Sequence, residues 1–243
     1  MKRFLLGLIS SFSLVSFSYA ESVSCNSLEQ VKEIVSKRFT NLKVDAINKS
    51  EIPCLYEVVA GDNIVYTDGN YFVFGHIVDF TGRDITGEKL QSLLSKKVKE
   101  LDLSKAIKIG NGKVEVIEFT DPECPFCRRA EDMLSSVSGD ITRYVFLMPL
   151  PFHKKAEPLA CLILSSKDKE ATYRDVMAGK YDNSSNLKCD DKVKSLLSEH
   201  KEISMKMGIQ GTPTFFVKTK SGEYIRVNGA DPNLVNIIKD QLK

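Results

Sequence analysis

The sequence predicts a mixed fold, α+β at the N-terminal end and α/β beyond it, built as two units joined by a helix. Three observations carry that reading. In the first part, one amphipathic helix is followed by short β-rich runs punctuated by "GDN" (61–63) and "DGN" (68–70). In the middle, Leu90, Leu93, Leu94, Val98 and Leu101 form an apolar stripe of helical spacing. From Lys113 onward the order is strand, helix, strand, a helical stretch, two strands and a helix, with two cysteines two residues apart at the first strand-to-helix turn. The expected bounds are an export signal over 1–20, a small unit over 21–82, a linker helix over 83–106 and a larger unit over 107–243. A helical insertion occupies about 152–207 of the last.

Lys2 and Arg3 open the chain, Phe4 to Phe17 is apolar, and Ser18-Tyr19-Ala20 reads as a small-x-small cleavage site. That run is shorter than the roughly 20 residues needed to span a bilayer. Removing the signal takes the net charge from +2 to 0, because Lys2 and Arg3 leave with it. A balanced charge argues against nucleic acid or an anionic surface as the main partner.

In the small unit, Ser27 is positioned to cap a helix carrying Leu28, Val31, Ile34 and Val35. Leu55 to Val59, Ile64 to Thr67 and Tyr71 to Phe80 read as strands. Thr86 is the expected N-cap of the next helix, with Ile85 and Leu90 as its hydrophobic staple. The spacing fits a surface helix as well as one connecting two units. In the larger unit, 114–120 and 141–149 read as strands and 124–137 as a helix that tolerates Pro125 in its first turn. "TFFVK" (214–218) and "EYIRVN" (223–228) read as a hairpin, and 231–243 as an Asp-capped closing helix.

Export makes disulfides expected, and there are six cysteines: Cys25, Cys54, Cys124, Cys127, Cys161 and Cys189. If Cys124 and Cys127 pair locally, three pairings of the others remain open. Sequence proximity favours Cys25 with Cys54 and Cys161 with Cys189. A zinc clip would need four ligands. No second C-x-x-C exists, and His76, His153 and His200 are scattered, so neither metal nor cofactor is expected. A purely structural staple would close too short a loop to stabilise much. A helix N-terminus favours a thiolate, so thiol–disulfide exchange is the chemistry that this spacing suits. Cys124 is then the exposed nucleophile and Cys127, one turn deeper, the resolving thiol. Asp121 and Glu123 oppose the thiolate, whereas Arg128 and Arg129 favour it.

"EFTDPECPFC", followed about 90 residues later by "GTPTFF", resembles the thioredoxin fold. With a small N-terminal unit, a linking helix and a helical insertion, nearly the whole chain after residue 20 resembles the bacterial periplasmic disulfide isomerases of the DsbC/DsbG family. The resemblance implies a cystatin-like N-terminal dimerisation domain and a V-shaped homodimer whose active sites face an apolar cleft. It implies a cis-proline at Pro213, beside Thr212, where a substrate chain pairs with extended backbone. Cis bonds make up only about 5–6% of X-Pro bonds in folded proteins, so this expectation is a specific one. It also implies a structural disulfide between Cys161 and Cys189, worth roughly 3–4 kcal/mol in the loop-entropy picture. The implied partners are misfolded, disulfide-containing exported proteins and a DsbD-like membrane protein that keeps Cys124 and Cys127 reduced. The implied location is the periplasm.

The sequence departs from that family's pattern in three places. The dipeptide between the cysteines is Pro-Phe. Glu118 lies six residues before Cys124, where many thioredoxin-like proteins keep a buried acid for proton transfer; the competing reading is an edge glutamate facing solvent. Cys25 and Cys54 are additional, and either staple the small unit or link two chains. Beside disulfide isomerisation, the sequence fits a thiol reductase acting on sulfenic acids or cytochrome-maturation thiols. It also fits a chaperone-like binding protein.

Overall fold

The computed structural model describes residues 24–41, 43–185 and 187–243. The export signal expected over 1–20 lies outside them. Helix α1 (Leu28–Arg38) begins with a reciprocal cap: Gln30 N–H donates to Ser27 Oγ (3.3 Å), and Ser27 N–H donates to Gln30 Oε1 (2.7 Å). Strands β1 (Ala46–Lys49), β2 (Tyr56–Ala60), β3 (Asn63–Thr67) and β4 (Phe72–Phe74) follow as an antiparallel meander in the order β1-β2-β3-β4. Side chains alternate across a strand, so Tyr56 and Val58 pack with Val31 and Val35 of α1, while Val59, Ile64 and Tyr66 face the other way. Cys25 and Cys54 are joined within the chain, tying the segment before α1 to the β1–β2 loop.

The third expected strand is shorter than its apolar run. It ends at Phe74 because Gly75, at φ 146°, turns the chain, and only a bridge between Val78 and Asp84 continues the pairing. Helix α2 (Ile85–Lys99) is capped by Asp84, whose Oδ1 accepts Gly87 N–H at 2.8 Å. Thr86, the expected cap, lies inside the helix instead. It is buried and bonded to the Tyr66 hydroxyl (2.7 Å) and to Ile77 N–H (2.9 Å).

The apolar stripe of α2 is divided between the two units. Leu90 and Leu93 cover the free face of the first sheet, whereas Leu94 and Val98 pack on Ile117, Phe216 and Tyr224 of the second. Helix α2 is therefore a connecting helix and not a surface one. Tyr224 N–H donates to Ser95 Oγ (2.9 Å), and Arg226 pairs with Asp62 at the β2–β3 turn (2.8 Å).

The second unit runs β5 (Ile107–Ile109), β6 (Val114–Thr120), α3 (Pro125–Ser135), β7 (Ile141–Leu147), α4 (Ala156–Ser165), α5 (Lys169–Met177), α6 (Asp191–Lys206), β8 (Thr214–Lys218), β9 (Tyr224–Asn228) and α7 (Asn233–Leu242). Its sheet order is β5-β7-β6-β8-β9, with only β6 and β7 parallel. From β6 onward this is the β-α-β, insertion, β-β-α order read from the sequence, with β5 as an added edge strand. One sheet face packs on α3 and α7 through Val114, Val116, Phe215, Leu134, Leu234 and Ile238. The insertion packs on the same face through Val145, Leu147, Leu159 and Tyr173. Cys161 of α4 is bonded to Cys189 just before α6.

Candidate active site

Strand β6 ends at Thr120, and the chain turns through residues 121–123 into α3. Cys124 is the N-cap and Pro125 the first helical residue. Cys124 N–H donates to the Asp121 carbonyl (3.1 Å), and Cys127 N–H to the Cys124 carbonyl (3.1 Å). Neither cysteine is disulfide-bonded. Opposite them, β8 pairs antiparallel to β6 with Phe119 against Thr214. That register carries the cis Thr212–Pro213 bond to the mouth of the turn. Cys124 Sγ lies 3.6 Å from the Thr212 carbonyl oxygen.

Cys124 is not the exposed member expected from its place in the turn. It is 4% exposed and Cys127 0%, because the Thr212–Pro213 segment closes over the pair. The two thiols nevertheless differ sharply. The Cys124 thiol is lowered to about 5, chiefly by a hydrogen bond from the Cys127 thiol. Backbone N–H groups of the first turn add to this, and burial works against it. Burial, with the hydrogen bond to Cys124, pushes the Cys127 thiol far up. Near neutral pH the reduced pair therefore holds one proton, kept on Cys127. An attack by the Cys124 thiolate on a substrate disulfide forms a mixed disulfide and releases one substrate thiolate. The pair is then closed by Cys127 or discharged by a substrate thiol.

Arg128, expected to favour the thiolate, is engaged elsewhere. It makes a two-pronged bond to Asp182 (2.6 and 2.7 Å) and donates to the Pro122 carbonyl. Glu123 accepts the Lys155 N–H (2.6 Å). Asp121 is fully buried and bonded to His153 Nδ1 (2.9 Å) and Leu150 N–H (2.7 Å). His153 carries no sequence signal beyond being a histidine, since 32 residues separate it from Asp121.

Glu118 is buried at 1% exposed, which removes the reading of an edge glutamate facing solvent. Arg143 Nη1 donates to it (3.0 Å) and also to Glu131 of α3, while the Tyr173 hydroxyl of α5 donates to its other oxygen (3.0 Å). Burial pushes the Glu118 carboxyl up, and the Arg143 charge pulls it back. Its carboxylate faces Arg143 and Tyr173, and Thr120 lies two residues on along the same strand face. Phe126 and Phe152, exposed by 58% and 73%, bring apolar surface to the rim.

Residues 22–87 match the family model of the disulfide bond isomerase protein N-terminal domain, and residues 101–234 match that of the thioredoxin-like domain. The probable thiol:disulfide interchange protein DsbC of Bordetella pertussis is 29% identical over 209 residues, spanning 84% of this chain and 71% of the relative. The thiol:disulfide interchange protein DsbG of Pseudomonas aeruginosa is 27% identical over 173 residues, spanning 67% of this chain and 68% of the relative. Among solved structures, a linker-deletion variant of Proteus mirabilis ScsC superposes with a TM-score of 0.51 at 25% identity, covering 65% of this chain and 86% of that one.

Proposed function

Because this chain belongs to the thioredoxin-like thiol:disulfide interchange proteins of the DsbC/DsbG family, and so to the thiol–disulfide oxidoreductases, we propose that it is a disulfide isomerase. It reshuffles wrong disulfides in exported proteins, with Cys124 as attacking thiol and Cys127 as resolving thiol. The observation that carries this reading is the split pair under Thr212 and cis-Pro213: one thiol lowered to about 5, its neighbour held protonated. A nucleophile ionised at neutral pH beside a protonated resolving thiol can enter a mixed disulfide and wait for a substrate thiol to leave with the corrected bond.

The export signal read over 1–20 supports the periplasm as the compartment of this chemistry, with a DsbD-like membrane protein as electron donor. Among the described residues, no helix is long and apolar enough to cross a membrane. The chain acts as a homodimer through its N-terminal unit. That assembly is supported by strand β4, an edge of the first sheet, which leaves Tyr71, Val73 and Phe74 exposed.

The test is reactivation of a substrate protein with scrambled disulfides by the reduced chain. Native activity should return with the unaltered chain and be lost with Cys124→Ser. Cys127→Ser should accumulate mixed disulfides with the substrate on a non-reducing gel. Reduction of a test disulfide without any reactivation would identify a reductase instead. Full activity from Cys124→Ser would remove the role given to that thiol.

A further inference from the structure

Asp121 poses a problem for the chemistry assigned above. Its carboxylate is fully buried in the turn that carries the dithiol, its backbone N–H points at Cys127 Sγ (3.4 Å), and its carbonyl accepts Cys124 N–H. A thiolate at Cys124 would form in the same turn as this buried carboxylate, and a nearby like charge disfavours ionisation. A buried carboxylate also needs a counter-charge or full hydrogen bonding of its own. Asp121 Oδ1 accepts Glu123 N–H (2.7 Å), and Oδ2 accepts Leu150 N–H (2.7 Å) and meets His153 Nδ1 (2.9 Å). Among the described residues, the cationic side chain in ion-pair contact with Asp121 is His153.

We infer that His153 is a positioning residue for the dithiol: as an imidazolium held by Asp121, it cancels the buried carboxylate and so lets the Cys124 thiolate form. This rests on Cys124 being the attacking thiol. The side chain of His153 is 18% exposed, so its ring reaches solvent to exchange protons. Its pKa is raised, first by the Asp121 hydrogen bond, then by the charges of Asp121, Cys124 and Glu123. The surrounding groups do not substitute for it. Arg128 of α3 feels the Asp121 charge, but its guanidinium is bound two-pronged to Asp182 and to the Pro122 carbonyl. On the turn, Glu123 is a second acid. On the loop of His153 itself, Lys154 is exposed and makes no ion pair with Asp121 among the described residues, and Lys155 is turned toward the Asp182 carbonyl. On α4 and α6, Glu157 and Lys201 pair with each other (2.9 Å). The edge of Phe152 lies beside the ring, with ring centroids 4.5 Å apart.

The experiment follows iodoacetamide alkylation of the reduced full chain against pH, with peptide mass mapping to assign the label. His153→Gln leaves Asp121 uncancelled, and the Cys124 midpoint is expected to rise by about one pH unit, a tenfold loss of thiolate below the midpoint. His153→Lys restores a positive charge and should hold the midpoint near that of the unaltered chain. In an Asp121→Asn background, the same His153→Gln change should move the midpoint little, because the charge to be cancelled is gone. An unmoved midpoint in His153→Gln overturns the inference. So does a rise of equal size with and without the Asp121 carboxylate, or a His153→Lys variant that behaves like His153→Gln. Label arriving first on Cys127 would instead overturn the assignment of the attacking thiol, a distinguishable failure.

Discussion

Arg143 is 3% exposed and stands between the carboxylates of Glu118 and Glu131. Removing one partner of such a buried pair leaves a charge without compensation, at a cost of about 3–5 kcal/mol. Arg143→Leu should lower the unfolding free energy in urea by that amount, and adding Glu118→Gln should recover part of it. The pair also illustrates what a sequence can and cannot disclose at this scale. Cys124, Cys127 and Pro213 are legible because their chemistry is written in short local strings. Glu118 stands out by its spacing from Cys124, but its partners lie 25 and 55 residues away, at Arg143 and Tyr173. Arg128 looks free to assist the thiolate until the fold brings Asp182 to it across 54 residues. Charges on a helix face are easily seen in sequence; what neutralises them is a tertiary fact.

Among the elements, β4 invites a direct test. An edge strand presents unpaired backbone donors and acceptors, and here Phe74, 75% exposed, adds apolar surface beside them. Phe74→Lys should shift the chain from dimer toward monomer in sedimentation at micromolar concentration, while alkylation of Cys124 stays unchanged. A native-like dimer in this variant would move the interface elsewhere. The longer elements are readable in sequence, since α1, α2 and β6 to α3 carry strong periodicity or caps. Strands β1 and β5 are not, because four residues of "AINK" and three of "IKI" are too short to show alternation. The cap of α2 falls two residues before the expected one because Asp84 and Thr86 are both good caps in sequence. Burial of Thr86 against Tyr66 decides between them.

Over the whole molecule, stability and pH are linked through a second histidine, carried by α6. His200 is buried, with Nδ1 accepting Leu147 N–H (3.0 Å) and Nε2 donating to the Lys105 carbonyl (2.8 Å). Only the neutral ring can fill both roles, and burial pushes its pKa below the ordinary value. The folded chain thus binds this proton more weakly than the unfolded chain. The contribution is complete above about pH 6.5 and is lost as pH falls through the folded value. His153 has the opposite sign, since its pKa is raised: its contribution is present below about pH 6.5 and fades as pH rises through the folded value. Below about pH 6.5, where the His153 contribution is complete and that of His200 is being lost, chemical denaturation midpoints should therefore drop as pH falls. His200→Gln, which can still accept and donate, should flatten that drop; an unchanged slope would assign the acid sensitivity to other groups.

The divided stripe of α2 has a geometric corollary. Each residue of a helix advances the chain by about 1.5 Å and turns it by about 100°. Leu93 still belongs to the first sheet and Leu94 already to the second. One residue added between them would swing everything downstream by more than a quarter revolution. The helix thus behaves like a screw thread whose pitch sets the bearing of the dithiol against the edge strand. Descendants of this chain could re-aim their chemistry by lengthening or shortening that thread, with every residue around Cys124 left as it is.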